Sequence, residues 1–320
     1  MLADRRLPLW LAMLVAAACG CDARAGEARH EGERARAAPA PKPKPSSIAA
    51  APKPRVPPPD LAAERRARFP TEFQLTSMRG TSHAPYLEGN TKEAIQAAVR
   101  EGIRYLEVDF VLTRDDSLVT AHQSYVKGCG NLNTMLESQA LGCRLHGGLR
   151  LATLEKVLAL PFKGLFLDLK DTREPDPARA RRAMERAARA VLASQRTRDV
   201  VLMLYETPPD TVEALLAQGL RAGIKGYPKS IEDTERMVAR AAELGLEMVS
   251  VNTEYVTPAL LAQSTRKGIW HLPWSTDPAR AGHWRALAAA GAGGLIALNY
   301  ELATKQVAPH WVDARKLERP

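Results

Sequence analysis

Two carboxylates two residues apart in an apolar run are the part of this sequence with the clearest chemistry. Tyr105-Leu106-Glu107-Val108-Asp109-Phe110 has the composition of a strand, and alternation along a strand puts Glu107 and Asp109 on one face. Two like charges in a poorly solvated setting repel unless something positive holds them. A hard divalent cation such as Mg²⁺ or Ca²⁺ suits their oxygen donors. A structural ion pair with Arg79 or Lys170 is the alternative for the same two residues.

A second strand-like run, Leu165-Phe166-Leu167-Asp168-Leu169-Lys170, repeats the pattern with one acid and one base on the same face. Asp168 could complete a cation site and Lys170 could bind an anionic oxygen. A phosphate ester held between a cation and fixed Lys or Arg charges accounts economically for this group. His122 supplies the proton chemistry. Only 13 residues separate it from Asp109, too few for a helical crossover, so Thr113 to Ser117 is expected to turn a hairpin. A turn centred on Asp115-Asp116 sets His122 opposite Asp109, beside the carboxylates, as a general acid or base.

The elements that must position these residues follow from the rest of the pattern. Eight candidate strands run over residues 72–77, 103–109, 164–169, 200–205, 220–225, 246–252, 268–273 and 294–298. Amphipathic helical patterns at 92–100, 177–193, 211–218, 231–244, 258–266 and 278–289 fall between most of them. That alternation predicts an α/β fold, a (β/α)8 TIM barrel with a β-hairpin extension after strand 2. A doubly wound open sheet usually begins with a Gly-rich first turn, which is lacking here. In a barrel, active sites form at the C-terminal ends of the strands, where Glu107, Asp109, Asp168 and Lys170 fall. His271, Trp274 and Asp277 also fall near a strand end, where they could line a substrate pocket or pack the rim. The Arg-rich helix face from Arg179 to Arg186 reads as solvated, with Met184, Ala188 and Val191 turned inward.

These residues carry a family resemblance. Glu107-x-Asp109, Thr113, Asp115, His122, Leu154-Glu155-Lys156-Val157-Leu158 and Asp168-x-Lys170 resemble the glycerophosphodiester phosphodiesterase pattern E-x-D, T-x-D, H, L-E-E-V-L and (E/D)-x-K. Asn90-Thr91 followed by Glu93-Ala94 is similar to the family's E-N-T and following helix, and Trp274-Ser275-Thr276 to its late W-T. The resemblance spans roughly residues 72 to 300 and is densest over 78 to 170. It implies a cation on Glu107, Asp109 and Asp168, phosphate on Arg79 and Lys170, and Trp274 near the substrate. It also implies two catalytic histidines, and here the sequence departs from the family. The family's H-R-G becomes Met78-Arg79-Gly80, and Met cannot transfer a proton. His83, five residues on, is the candidate replacement beside His122.

The ends of the chain point to the cell envelope. Arg5 and Arg6, the apolar run Leu7 to Ala18 and then Cys19-Gly20-Cys21 have a signal-peptide layout in residues 1–21. A Cys directly after small residues resembles a bacterial lipobox, so a periplasmic lipoprotein anchored to the membrane through Cys19 or Cys21 is expected, with a plain secretory signal cut after an Ala as the alternative. Residues 22–70, rich in Pro, Ala, Arg and Lys, read as a disordered linker, 71–310 as the barrel and 311–320 as a tail. Residues 1–70 hold 13 Lys and Arg against 7 Asp and Glu, so +6 of the formal +9 lies there. The near-neutral remainder, in a chain with 5% aromatics, argues against a nucleic-acid partner. Cys129 and Cys143, 14 residues apart, could pair in an oxidising periplasm.

Two functions fit these observations. One is a metal-dependent phosphodiesterase acting on glycerophosphodiesters or related lipid headgroups; the other is a noncatalytic binder of the same phosphates, favoured by Met78.

Overall fold

The computed structural model describes residues 61–81, 88–173, 176–205 and 207–317, all within the compact unit Val56–Pro320. Twelve strands are present among them. They are β1 (Gln74–Ser77), β2 (Tyr105–Leu112), β3 (Leu118–Thr120), β4 (Tyr125–Val126), β5 (Gly130–Asn131), β6 (Gly164–Leu169), β7 (Val200–Leu204), β8 (Arg221–Lys225), β9 (Met248–Ser250), β10 (Trp270–His271), β11 (Trp274–Ser275) and β12 (Gly294–Ala297). The main sheet runs β10-β9-β8-β7-β6-β2-β1-β12-β11, parallel throughout.

The sheet closes because β10 and β11 are two halves of one strand. Leu272 N–H donates to Val249 O and Trp274 N–H to Val251 O on one side, while Ile296 N–H donates to Pro273 O on the other. Pro273 has no N–H to give, which divides the strand without breaking its path. Eight barrel strands result, as the sequence pattern predicts.

The barrel strands β2 and β6 are buried on both faces along their whole length, as parallel barrel strands must be. Inward-facing Met78, Tyr105, Phe166, Val201, Met203, Met248, Trp270, Leu272 and Ile296 form an apolar plug, with Phe166 and Trp270 edge to face. Outward-facing Leu106, Val108, Leu165, Leu167 and Leu202 pack on the helices. The helix Lys92–Arg100 starts where the Thr91 side chain accepts the Ala94 N–H, and it buries Ala94, Ile95 and Ala98. The helix Pro177–Ala193 is capped by Asp176, has Pro177 in its first turn, and buries Ala180, Ala183, Met184, Ala187, Ala188 and Val191. Small alanines let that helix lie close to the strands.

Some expectations need correction. The hairpin β2–β3 pairs Phe110 with Thr120 and Leu112 with Leu118, so Ala121, not His122, faces Asp109, and its N–H donates to Asp109 O. Thr113 N–H closes on Ser117 O around a three-residue loop whose last member, Asp116, is left-handed (φ 58°). A three-residue loop shifts the register by one relative to a two-residue turn. Arg179 is not a solvated residue of its helix: its guanidinium bonds Asp171, the Leu112 carbonyl and Asn133 Oδ1, and its side chain is 11% exposed.

The folded part also begins inside the stretch assigned by composition to the linker. Arg65 donates to Ala242 O, Arg66 to Arg266 O, and Phe69 is buried in the plug cluster. It likewise runs past residue 310, since Trp311 Nε1 donates to Ala292 O and Ala314 is buried. Cys129 and Cys143 are free thiols, not a disulfide. They are nonetheless neighbours, and burial together with the Cys143 hydrogen bond pushes the Cys129 thiol up to about 12.

Candidate active site

Above the apolar plug, the C-terminal ends of the strands carry a layer of charge. Parallel pairing of β2 with β6 sets Asp109 beside Asp168, and alternation brings Glu107 to the same face. Ligand oxygens of Glu107, Asp109 and Asp168 lie within 4.8 Å of one another, and all three residues are buried. Lys170 Nζ lies 2.7 Å from Asp109 Oδ1 and 2.6 Å from Asp168 Oδ2. A second ammonium, Lys225 at the end of β8, lies 2.6 Å from Glu107 Oε1 and 2.5 Å from Asp168 Oδ2.

The first strand contributes backbone as well as side chain. After β1 the chain makes a tight turn, Met78–Gly80, in which Arg79 (φ 56°) adopts the left-handed region. That conformation costs a non-glycine residue energy and marks a site the surrounding structure enforces. It aims the Arg79 N–H at Glu107 Oε2, 2.8 Å away, and leaves the guanidinium half-exposed with Nε 3.8 Å from Asp109 Oδ2. Asn90, also left-handed (φ 62°), bonds Asp109 through both ends of its amide.

The charges act on one another as their positions dictate. Burial and the neighbouring Glu107 raise Asp109 to about 7, against the opposing pull of Lys170. Burial raises Asp168 too, yet Lys225 and Lys170 on either side hold it well below the ordinary carboxylate range. Burial lowers Lys170 and Lys225, but the carboxylates around them outweigh it and hold both above the usual lysine value. All three acids offer oxygen donors, and Asp168 Oδ1 is buried with no hydrogen-bond partner. Such a donor set fits a hard divalent cation.

His122 is exposed at the rim just past the hairpin. Desolvation there, then the charges of Lys170 and Arg79, push its imidazole down to about 4. It is therefore neutral at pH 7 and able to accept a proton. Met78 is buried in the apolar plug beneath the rim and offers no proton chemistry. His83 lies outside the described residues. Trp274 stands at the rim, edge-on to Tyr227, which stacks on Tyr205. Tyr205 hydroxyl donates to Asp168 Oδ2. His271 and Asp277 are not pocket residues: His271 is buried against Ser264, and Asp277 caps a short helical turn.

The geometry thus gathers Glu107, Asp109, Asp168, Lys170 and Arg79 into one cluster. Lys225 is not among the residues singled out by sequence. The signal was present: in Gly223-Ile224-Lys225 a base ends a strand on the inward face, the same rule that flagged Lys170. Beside the cluster, Tyr205, Lys225 and Tyr227 form one wall of a cavity of about 860 Å³ that runs between the helices Pro209–Ala217 and Ile231–Glu243.

The family model described as "Glycerophosphoryl diester phosphodiesterase family" matches residues 79–297. No curated protein matches the chain. Among solved structures, a glycerophosphodiester phosphodiesterase from Parabacteroides distasonis is 17% identical, with a TM-score of 0.61, over 73% of this chain and 96% of that one. The enzyme from Thermotoga maritima is 20% identical, with a TM-score of 0.55, over 73% and 98%. A phosphodiesterase from Oleispira antarctica, solved with the product sn-glycerol-3-phosphate, is 14% identical, with a TM-score of 0.59, over 75% and 98%. At these identities the likeness is one of fold.

Proposed function

The chain belongs to the glycerophosphoryl diester phosphodiesterase family, and from that premise we propose that it hydrolyses glycerophosphodiesters or related lipid-headgroup phosphodiesters at the cell envelope, using Mg²⁺ or Ca²⁺. The observation that carries the reading is the convergence of three buried carboxylates on one point at the barrel mouth, with Lys170 and Arg79 beside it.

Glu107, Asp109 and Asp168 would hold the cation, which when bound supplies charge to offset that developing on the phosphate. Lys170 and Arg79 bind the phosphate's remaining oxygens, with Arg79 reaching out from the rim. His122, neutral at pH 7, takes a proton from the attacking water and can return it to the departing alcohol oxygen, so that diester and water become glycerol phosphate and an alcohol. Asn90 holds Asp109, and Tyr205 holds Asp168, so that neither carboxylate turns away. Trp274 and Tyr227 give the leaving alcohol a face to pack on. The glycerol phosphate found in the Oleispira relative supports a glycerol phosphate as the product here.

The composition of the N-terminal residues supports a membrane setting for this chemistry. A signal peptide followed by lipid on Cys19 or Cys21 would hold the chain near headgroups in the periplasm; residues 1–60 lie outside the described residues. Among the described residues no helix is long and apolar enough to cross a membrane.

The test is hydrolysis of glycerophosphocholine and glycerophosphoglycerol with MgCl₂ or CaCl₂, followed by release of glycerol phosphate. Turnover that falls by ~10² to 10⁴ in His122→Ala supports the reading. Saturable binding of the diester with no turnover replaces it by the noncatalytic binder that the buried Met78 favours.

A further inference from the structure

Lys225 has no part in the roles assigned above, yet it touches two of the three carboxylates. It is the last residue of the fifth barrel strand and is 6% exposed. Its side chain crosses the barrel mouth to Glu107 on the second strand and Asp168 on the third. The ammonium bridges their oxygens, a position that a cation shared by the triad would also need. With Lys170 and Arg79, Lys225 brings the formal charge of the cluster to zero. A divalent cation added to that arrangement leaves two excess positive charges in a buried cage, where repulsion is weakly screened.

We propose that Lys225 is an internal competitor of the divalent cation. Its ammonium holds Glu107 and Asp168 together when no metal is bound and must leave that position for metal to enter. A second resting place is at hand. Ser250 on β9 is the register partner of Lys225, so both side chains stand on the same face, and its buried hydroxyl has no hydrogen-bond partner. The displaced ammonium can donate to that oxygen. The protein then trades affinity for a site that stays assembled without its ion.

The inference rests on the triad being the metal site, and its readouts are binding and melting, not turnover. Titration of the full chain with MgCl₂ and CaCl₂ by calorimetry, wild type against Lys225→Met, is the deciding measurement. The variant is expected to bind at least one ion about tenfold more tightly or better, and to melt lower than wild type only when metal is withheld. Adding Asp168→Asn to the variant should abolish the gain. Affinity equal to or weaker than that of wild type, or no binding by either protein, overturns the proposal. Should Lys225→Met be unfolded without metal, recovery of its fold in millimolar MgCl₂ or CaCl₂ supports it. Failure to recover in both Lys225→Met and Lys225→Gln overturns it. Loss of the phosphodiesterase reading would show separately, as wild-type protein that binds metal and diester but does not turn over.

Discussion

Asn90 grips Asp109 from two sides: its Nδ2 donates to Asp109 Oδ2 at 2.6 Å, and its Oδ1 accepts the Asp109 N–H at 3.0 Å. Both groups are buried, so neither finds water if the amide is removed. Asn90→Ala is expected to cost about 3 kcal/mol of stability by denaturant titration, from unmet hydrogen bonds and a left-handed backbone that Ala resists. Its kcat/KM for glycerophosphodiesters should fall by about 10², because the carboxylate is no longer held in place. Asn90→Gly accommodates the backbone and should lose activity as much as Ala while losing less stability. Wild-type activity in both variants would remove Asn90 from the site.

Arg179 tests the stability side of the same wall. It joins Asp171, the Leu112 carbonyl at the end of β2 and Asn133, and Asp171 in turn accepts the Leu112 N–H at 2.6 Å. Arg179→Ala removes a charge-assisted partner of the buried Asp171 and the guanidinium donor to the Leu112 carbonyl, and should cost about 1.5 to 3 kcal/mol. Arg182→Ala, on the exposed face, should change stability by about 0.5 kcal/mol or less. Equal effects of the two substitutions in urea titrations would contradict the assignment.

His271 sets an acid limit to the fold. It is fully buried, its Nε2 meets Ser264 Oγ, and burial pushes it from 6.5 down to about 4. The unfolded chain therefore binds the proton more readily than the folded one. Stability from this group is complete above pH 6.5 and is lost as the pH falls toward 4, by about 3 kcal/mol. Unfolding titrations at pH 7 and pH 4 should differ by that much more in wild type than in His271→Gln. An identical pH response in the two proteins would show that His271 contributes nothing.

The proposed anchor makes a cellular prediction. Replacing whichever of Cys19 and Cys21 carries the lipid by Ser should move the protein from the membrane fraction to the soluble periplasmic fraction, while replacing the other should not. Intact mass of the membrane-bound form identifies the modified residue. A wild-type protein found wholly in the soluble fraction would end the lipoprotein proposal.

What the sequence by itself determined is what local periodicity carries. Alternation within Tyr105–Phe110 and Gly164–Leu169 is a property of a few consecutive residues, so the shared face of Glu107 and Asp109 and the place of Asp168 were legible without a fold. So was the order of strands and helices, since each amphipathic stretch must bury one side. Only the tertiary structure decided what depends on closing the ring. Lys225 stands 118 residues from Glu107, and nothing local tells a strand-end base that points outward from one that spans the mouth. The hairpin register turned on a single left-handed residue, Asp116, and the fate of Arg179 on carboxylate and carbonyl groups that reach it from other elements. Faces are set by bonds between neighbours in the chain; partners across a barrel are set by strand stagger and layer packing, which no short stretch of residues encodes.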